Sequence, residues 1–338
     1  MMCKNNKINK TQLAAILFNT MMGVEILSLP NRLAVELGTD GWAAIILGGL
    51  IATVMVTIIT SVAIKYPEKS MVEFGRELVP KPIADIISAI YLFEFIIVGA
   101  LVLRLTSQVV GSFILARTPP HIIGATLLMV VVYLVRSGIE PMGRMFIIAT
   151  VLLIFPLVFV GIVVLSDIEF ENFLPVFQFT PKELLKSVGI TINSYSGFQI
   201  LFFILFFVKE DKKKTIKYNI GSTLSIIVIY LLIFLATLGK YGANKLKYQL
   251  WSVMSLMRSI QLPTAFIENI DIYVLSVWII TVFTTLASIL FGASFVLSKL
   301  SGGKDEKMYV IPITAVVYLL AYAPRNIPQV YEYSGLVL

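Results

Sequence analysis

A carboxylate and a run of hydrogen-bonding side chains interrupt two otherwise apolar segments, each near the middle. The first interruption is Gly23-Val24-Glu25, with Pro30 just beyond, and the second is Asn193-Ser194-Tyr195-Ser196-Gly197. A helix broken inside lipid leaves backbone N–H and C=O groups unpaired, at a cost of several kcal/mol per group, unless a cavity, protein or ligand receives them. Breaks at corresponding places in two halves of a chain therefore point to a binding site for a small polar solute.

A half-helix starting near Gly23 aims free N–H groups and a positive dipole end at an anionic group such as a carboxylate. Glu25 complicates this, because a carboxylate in low dielectric must be protonated or hold a cation: a ligand amine, a proton in transit or an arginine. In the second break, Asn193, Ser194, Tyr195 and Ser196 supply amide and hydroxyl partners, while Gly197 permits irregular backbone. Ordinary helix packing also uses serine and glycine, but it accounts less readily for five such residues in succession. Glu94, one turn after Tyr91, is a further carboxylate within an apolar segment. Arg104 lies ten residues on, about 15 Å along a helix, so Glu94 needs a partner from another segment. Thr284, Thr285 and Ser288 form a possible ion site, or bond merely to their own preceding turn.

These side chains need a scaffold, and composition defines its class. The 338 residues are 58% hydrophobic and 14% charged, with a mean hydropathy of +0.90. Such a chain is an all-α polytopic membrane protein. One transmembrane domain, 1–338, is expected to hold nine spans, at 12–37, 42–64, 83–108, 119–135, 145–165, 183–208, 220–238, 272–297 and 308–323. Pro156 and Pro312 fall inside two of them and predict kinks. With one cysteine, Cys3, and one histidine, His121, the chain has no Cys/His metal set, disulfide or thiol pair. A catalytic triad and a phosphate loop are missing too, so neither enzyme chemistry nor a cofactor is expected. The segment after Lys10 is too long for a cleavable signal peptide and lacks a small-residue cleavage site.

Basic residues set the orientation. Placing the N-terminus in the cytoplasm puts 17 of the 27 Lys and Arg residues on that side. The net charge of +7 then reflects a face against anionic membrane lipid, with no nucleic acid required, and Lys212-Lys213-Lys214 reads as a topological anchor. On the other side, 240–271 contains an amphipathic stretch with Leu250, Met254, Met257 and Gln261 near one face. It serves either as a lid over the bundle or as a helix resting at the interface.

Met22-Gly23-Val24-Glu25-Ile26-Leu27-Ser28-Leu29-Pro30, Tyr66-Pro67, Asn172-Phe173-Leu174-Pro175-Val176 and the basic loop after the sixth span resemble the B-subunits of endospore germination receptors. These spore germination permeases belong to the amino acid, polyamine and organocation transporter superfamily, and the resemblance covers nearly the whole chain. It implies a LeuT-type inverted-repeat helical bundle with broken first and sixth spans. It also implies an inner spore-membrane subunit that senses a small-molecule nutrient, commonly an amino acid, beside A-type and C-type receptor subunits. The family pattern has ten spans, so the tenth is expected to be missing or truncated here. Glu25 stands where small residues are common, which points to a cationic or unusual ligand. The competing reading is a proton- or sodium-coupled amino acid transporter; the fifth span, 145–165, has no lysine to act as a built-in cation, which favours sensing. In a third reading the chain is only a scaffold for partners.

Overall fold

In lipid a helix closes its backbone hydrogen bonds within its own segment, and helices make up nearly all of the regular structure in the computed structural model. It describes residues 7–164, 167–208, 212–259, 270–303 and 305–324. In chain order the helices are α1 (Lys10–Met21) and α2 (Leu29–Leu37), separated by a 3-10 turn at Glu25–Leu27, then α3 (Gly41–Lys65), the short α4 (Met71–Leu78) and α5 (Lys81–Phe113). Next come α6 (Pro120–Ser137), α7 (Ile139–Val164), and α8 (Pro181–Ser194) with α9 (Leu201–Ile204), which flank the second interruption. The chain continues through α10 (Lys212–Leu246), α11 (Ser252–Arg258), α12 (Ile270–Leu300) and α13 (Lys307–Tyr322).

By length and composition six helical stretches among the described residues can cross a membrane, and the pair 181–194 and 198–207, bent by 50°, makes a seventh. Single pieces of a broken span fall short of this criterion: the 12 residues of α1 rise about 18 Å. Pro156 and Pro312 lie inside α7 and α13, which continue through them. Expectations for Gln261 and for the tenth span fall on residues outside those described.

Local sequence signals start the helices that carry the breaks. Asn9 and Gln12 form a capping box on α1, and Thr180 and Glu183 form another on α8. The middle of the bundle is α1, in which every residue from Gln12 to Met21 is buried, and α12, with 78% of its most apolar window buried. Polar residues bind the buried helices together. Asn19 Nδ2 donates to the carbonyls of Ala15 and Phe146 and to Thr150 Oγ1, joining α1 to α7. Small residues let α3 approach: a Cβ on Gly48 would lie 2.2 Å from Thr191 Oγ1, and one on Gly49 2.3 Å from Ile227. That close approach fixes α8 and α10 against α3.

Candidate functional site

A cavity of about 490 Å³ lies between the two interruptions. At the first, the Met22 N–H still reaches the Phe18 carbonyl, and the next backbone bond runs from Leu27 N–H to the Val24 carbonyl. Pro30 falls in the first turn of α2, where its missing N–H has no helical partner to lose. Glu25 Oε2 accepts from Arg32 Nη1 at 2.5 Å, and both side chains are about one-third exposed, at 27% and 34%. Of the cations open to Glu25, the structure supplies arginine.

At the second interruption α8 ends at Ser194, and Gly197 adopts φ +110°. A Cβ there would also lie 2.9 Å from the Thr20 carbonyl oxygen. Glycine is required on both grounds. The Gly197 N–H donates to Gln199 Oε1 at 2.7 Å, and Gln199 Nε2 donates to Glu94 Oε1 at 2.5 Å. Glu94 thus finds its partner on another segment. The buried Tyr230 hydroxyl ties the two breaks together, its proton shared between the carbonyls of Met21 at 3.2 Å and Ser194 at 3.0 Å. These carbonyls belong to the ends of α1 and α8, where helical partners run out.

Gly23, Val24, Glu25, Glu94, Asn193, Ser194, Ser196, Gly197 and Thr285 all line the cavity. Four expected site residues do not. Tyr91 packs its ring against Phe202 and Phe203, at 6.0 and 5.7 Å. Tyr195 is fully buried and donates to the Ile45 carbonyl on α3, so it belongs to the packing of α8. Thr284 Oγ1 donates to the Thr281 carbonyl at 2.7 Å, one turn back, and Ser288 Oγ accepts from Thr20 Oγ1 at 2.6 Å. Thr285 donates to the Asn19 carbonyl at 2.9 Å, pinning the end of α1 to α12.

Arg32, Gln199 and Tyr230 join the site without having been expected from the motifs. Arg32 carried a signal, since it stands seven residues, two helical turns, after Glu25 and so returns to the same face. Gln199 is the one polar residue in Phe198–Val208, a weaker signal. Tyr230 sits among apolar residues of α10 with nothing local to mark it.

Leu250 and Trp251 also line the cavity, just before α11, whose Val253, Met254, Leu256 and Met257 are buried. Asn31 Nδ2 holds this segment to α2 through the Leu246 and Lys247 carbonyls, and Trp251 meets the Phe113 ring edge at 5.4 Å. Outside the cavity lining, Phe207 packs against Phe291 and Phe295 at 5.9 and 5.5 Å. Lys299 bonds Glu73 at 2.7 Å beneath them. Burial alone would raise the Glu73 carboxyl, but the Lys299 ammonium and Ser70 outweigh it and hold it below the usual carboxylate value. The Ile8 N–H donates to the Phe207 carbonyl at 2.9 Å, in a parallel bridge of Ile8 with Val208. Among the described residues no group of three or more His, Cys, Asp or Glu side chains could hold a metal ion.

Residues 7–330 match the family described as Spore germination protein. Spore germination protein A2 of Bacillus subtilis (strain 168) is 30% identical over 330 residues, which cover 97% of this chain and 90% of that protein. Spore germination protein YndE of the same organism is 26% identical over 332 residues, covering 98% and 91%. Two solved structures share the fold. One is a Na+-coupled sialic acid symporter in a substrate-bound outward-open state, with a TM-score of 0.75 at 14% identity, covering 98% of this chain and 76% of that one. The other is MhsT in complex with L-phenylalanine, with a TM-score of 0.67 at 15% identity, covering 91% and 78%.

Proposed function

Because the chain belongs to the Spore germination protein family, whose members are membrane permeases and not enzymes, we propose that this membrane subunit of a germination receptor senses a small nutrient in the cavity between its broken helices. One observation carries this reading: both breaks open onto a single cavity of about 490 Å³ whose polar groups come from the two broken helices, from Glu94 on α5 and from Thr285 on α12. Arg32 with Glu25 and Gln199 with Glu94 provide charged and polar anchors, while Phe95, Val98, Leu101 and Val102 form an apolar wall. That combination suits an amino acid with a charged head and an apolar side chain. Glu25 is neutralised by Arg32, so it no longer argues for a cationic ligand.

In the same reading the chain crosses the membrane nine times, with the N-terminus in the cytoplasm and Lys212-Lys213-Lys214 on that face. It resides in the inner spore membrane, and its A-type and C-type partners receive the signal as a change in helix packing. Nutrient binding shifts the bundle only through differential affinity for its two packings. The fold shared with a Na+-coupled symporter supports the alternative, ion-driven uptake of an amino acid, with Thr285 and its neighbours as the place to look for the ion. Reconstituted vesicles and labelled amino acids separate the two. Saturable binding without accumulation is expected; concentration against a gradient, driven by sodium or protons, would establish the transporter instead.

A further inference from the structure

The Gly197 N–H freed at the second break is satisfied from within the chain, by a side chain that copies the hydrogen bonding of an amino acid head group. The Gly197 N–H requires an acceptor and the Glu94 carboxylate requires a donor, so only one orientation of the Gln199 amide serves both. An α-amino acid carries the same two functions side by side, a carboxylate oxygen and an ammonium nitrogen. Gly197, Gln199 and Glu94 all face the cavity, where such a molecule would meet them.

We propose that Gln199 is an intramolecular stand-in for the zwitterionic head of the nutrient, holding Gly197 and Glu94 while the site is empty and released from both when the nutrient binds. This rests on the nutrient-site reading above and adds the residue that sets its selectivity. A site without the stand-in would leave a backbone donor and a carboxylate unpaired in a mostly apolar cavity, which is costly. With it, an incoming ligand must offer more than the amide does. An ammonium on Glu94 meets that demand, because it adds ion-pair attraction to the hydrogen bond that the carboxylate already accepts from the amide.

Selectivity follows from the amide being one group. An amine alone replaces the Nε2 donor but strands the Gly197 N–H, and a carboxylic acid alone satisfies Gly197 but brings a second carboxylate toward Glu94 without a donor. Only a molecule that carries both groups on neighbouring atoms replaces Gln199 without leaving an unpaired partner. Gln199 also lies in the turn that leads into α9, so its release loosens the segment after the break at the moment of binding.

The test uses the full chain in lipid nanodiscs, calorimetric titration with the protein L-amino acids, and two variants. Gln199→Ala removes the amide, and Gln199→Leu removes it while keeping most of its volume. For the tightest-binding amino acid, two half-ligands are titrated as well: its decarboxylated amine and its deaminated acid. Removing the competing amide should tighten amino acid binding by roughly threefold to tenfold in both variants. The amine half-ligand, silent on the unaltered chain, should become a measurable binder. Unchanged or weaker amino acid binding in a folded Gln199→Leu protein would overturn the stand-in, as would equal binding of the amine to the unaltered chain. If no amino acid binds either the unaltered chain or the variants while all unfold at the same temperature, the nutrient-site reading itself fails.

Discussion

The two broken helices look alike as sequence, each with a glycine and at least one polar side chain within an apolar segment, yet they are held open in different ways. The first break pairs its charge within its own segment, Glu25 with Arg32, and a Cβ on Gly23 would meet nothing closer than 3.7 Å. The second depends on the rest of the bundle. Gly197 has a left-handed backbone, sits against the Thr20 carbonyl, and reaches Glu94 on α5 through Gln199. A break can thus be written into its own segment or imposed by its neighbours, and only the second kind makes glycine obligatory.

This asymmetry is open to direct attack. Its largest expected consequence is at Gly197→Ala, where left-handed strain and the clash with Thr20 together should lose on the order of 3 kcal/mol, measured by thermal unfolding in detergent. A neutral result would erase the distinction between the breaks. Tyr230→Phe comes next: it removes the shared donor from two buried helix-end carbonyls and should cost about 1–3 kcal/mol. A loss in the same assay that is no larger than that of an exposed Tyr→Phe control, such as Tyr248→Phe, would show that the hydroxyl does not join the breaks. Glu25→Gln should cost about 1 kcal/mol or less, because the pair is partly exposed. It should nonetheless shift the nutrient concentration that gives half-maximal germination at unchanged protein level; an unshifted response would reduce Glu25 to a structural role. Gly23→Ala should be the mildest, within about 0.5 kcal/mol, and damage equal to that of Gly197→Ala would contradict the comparison from the other side.

How much could be read in advance depended on the range of the forces involved. Backbone breakage is local, and residues 22–24 and 195–197 interrupt helices where glycine and polar residues had marked the chain. Which side chains then face the cavity is a matter of neighbours. Tyr195 is one residue from Ser194 and Ser196, which line the cavity, but its ring turns to α3 and meets Tyr230 at 5.1 Å. The partner of Glu94 lies 105 residues away in the chain, a distance over which no spacing rule operates. Thr284 and Ser288 were legible only as hydroxyls on one helix; whether they meet the cavity depends on the rotation of α12 against α1.

The bond between Ile8 and Phe207 gives the paired breaks a mechanical property. The segment containing α1 is fastened to the segment around α9 near the cavity, where Gly197 abuts Thr20, and again at Ile8, about 18 Å further along α1. A single fastening would let one piece swivel on the other. Two contacts at that separation resist a relative twist of the segments better than one, which couples the packing at the cavity to Ile8, just before α1.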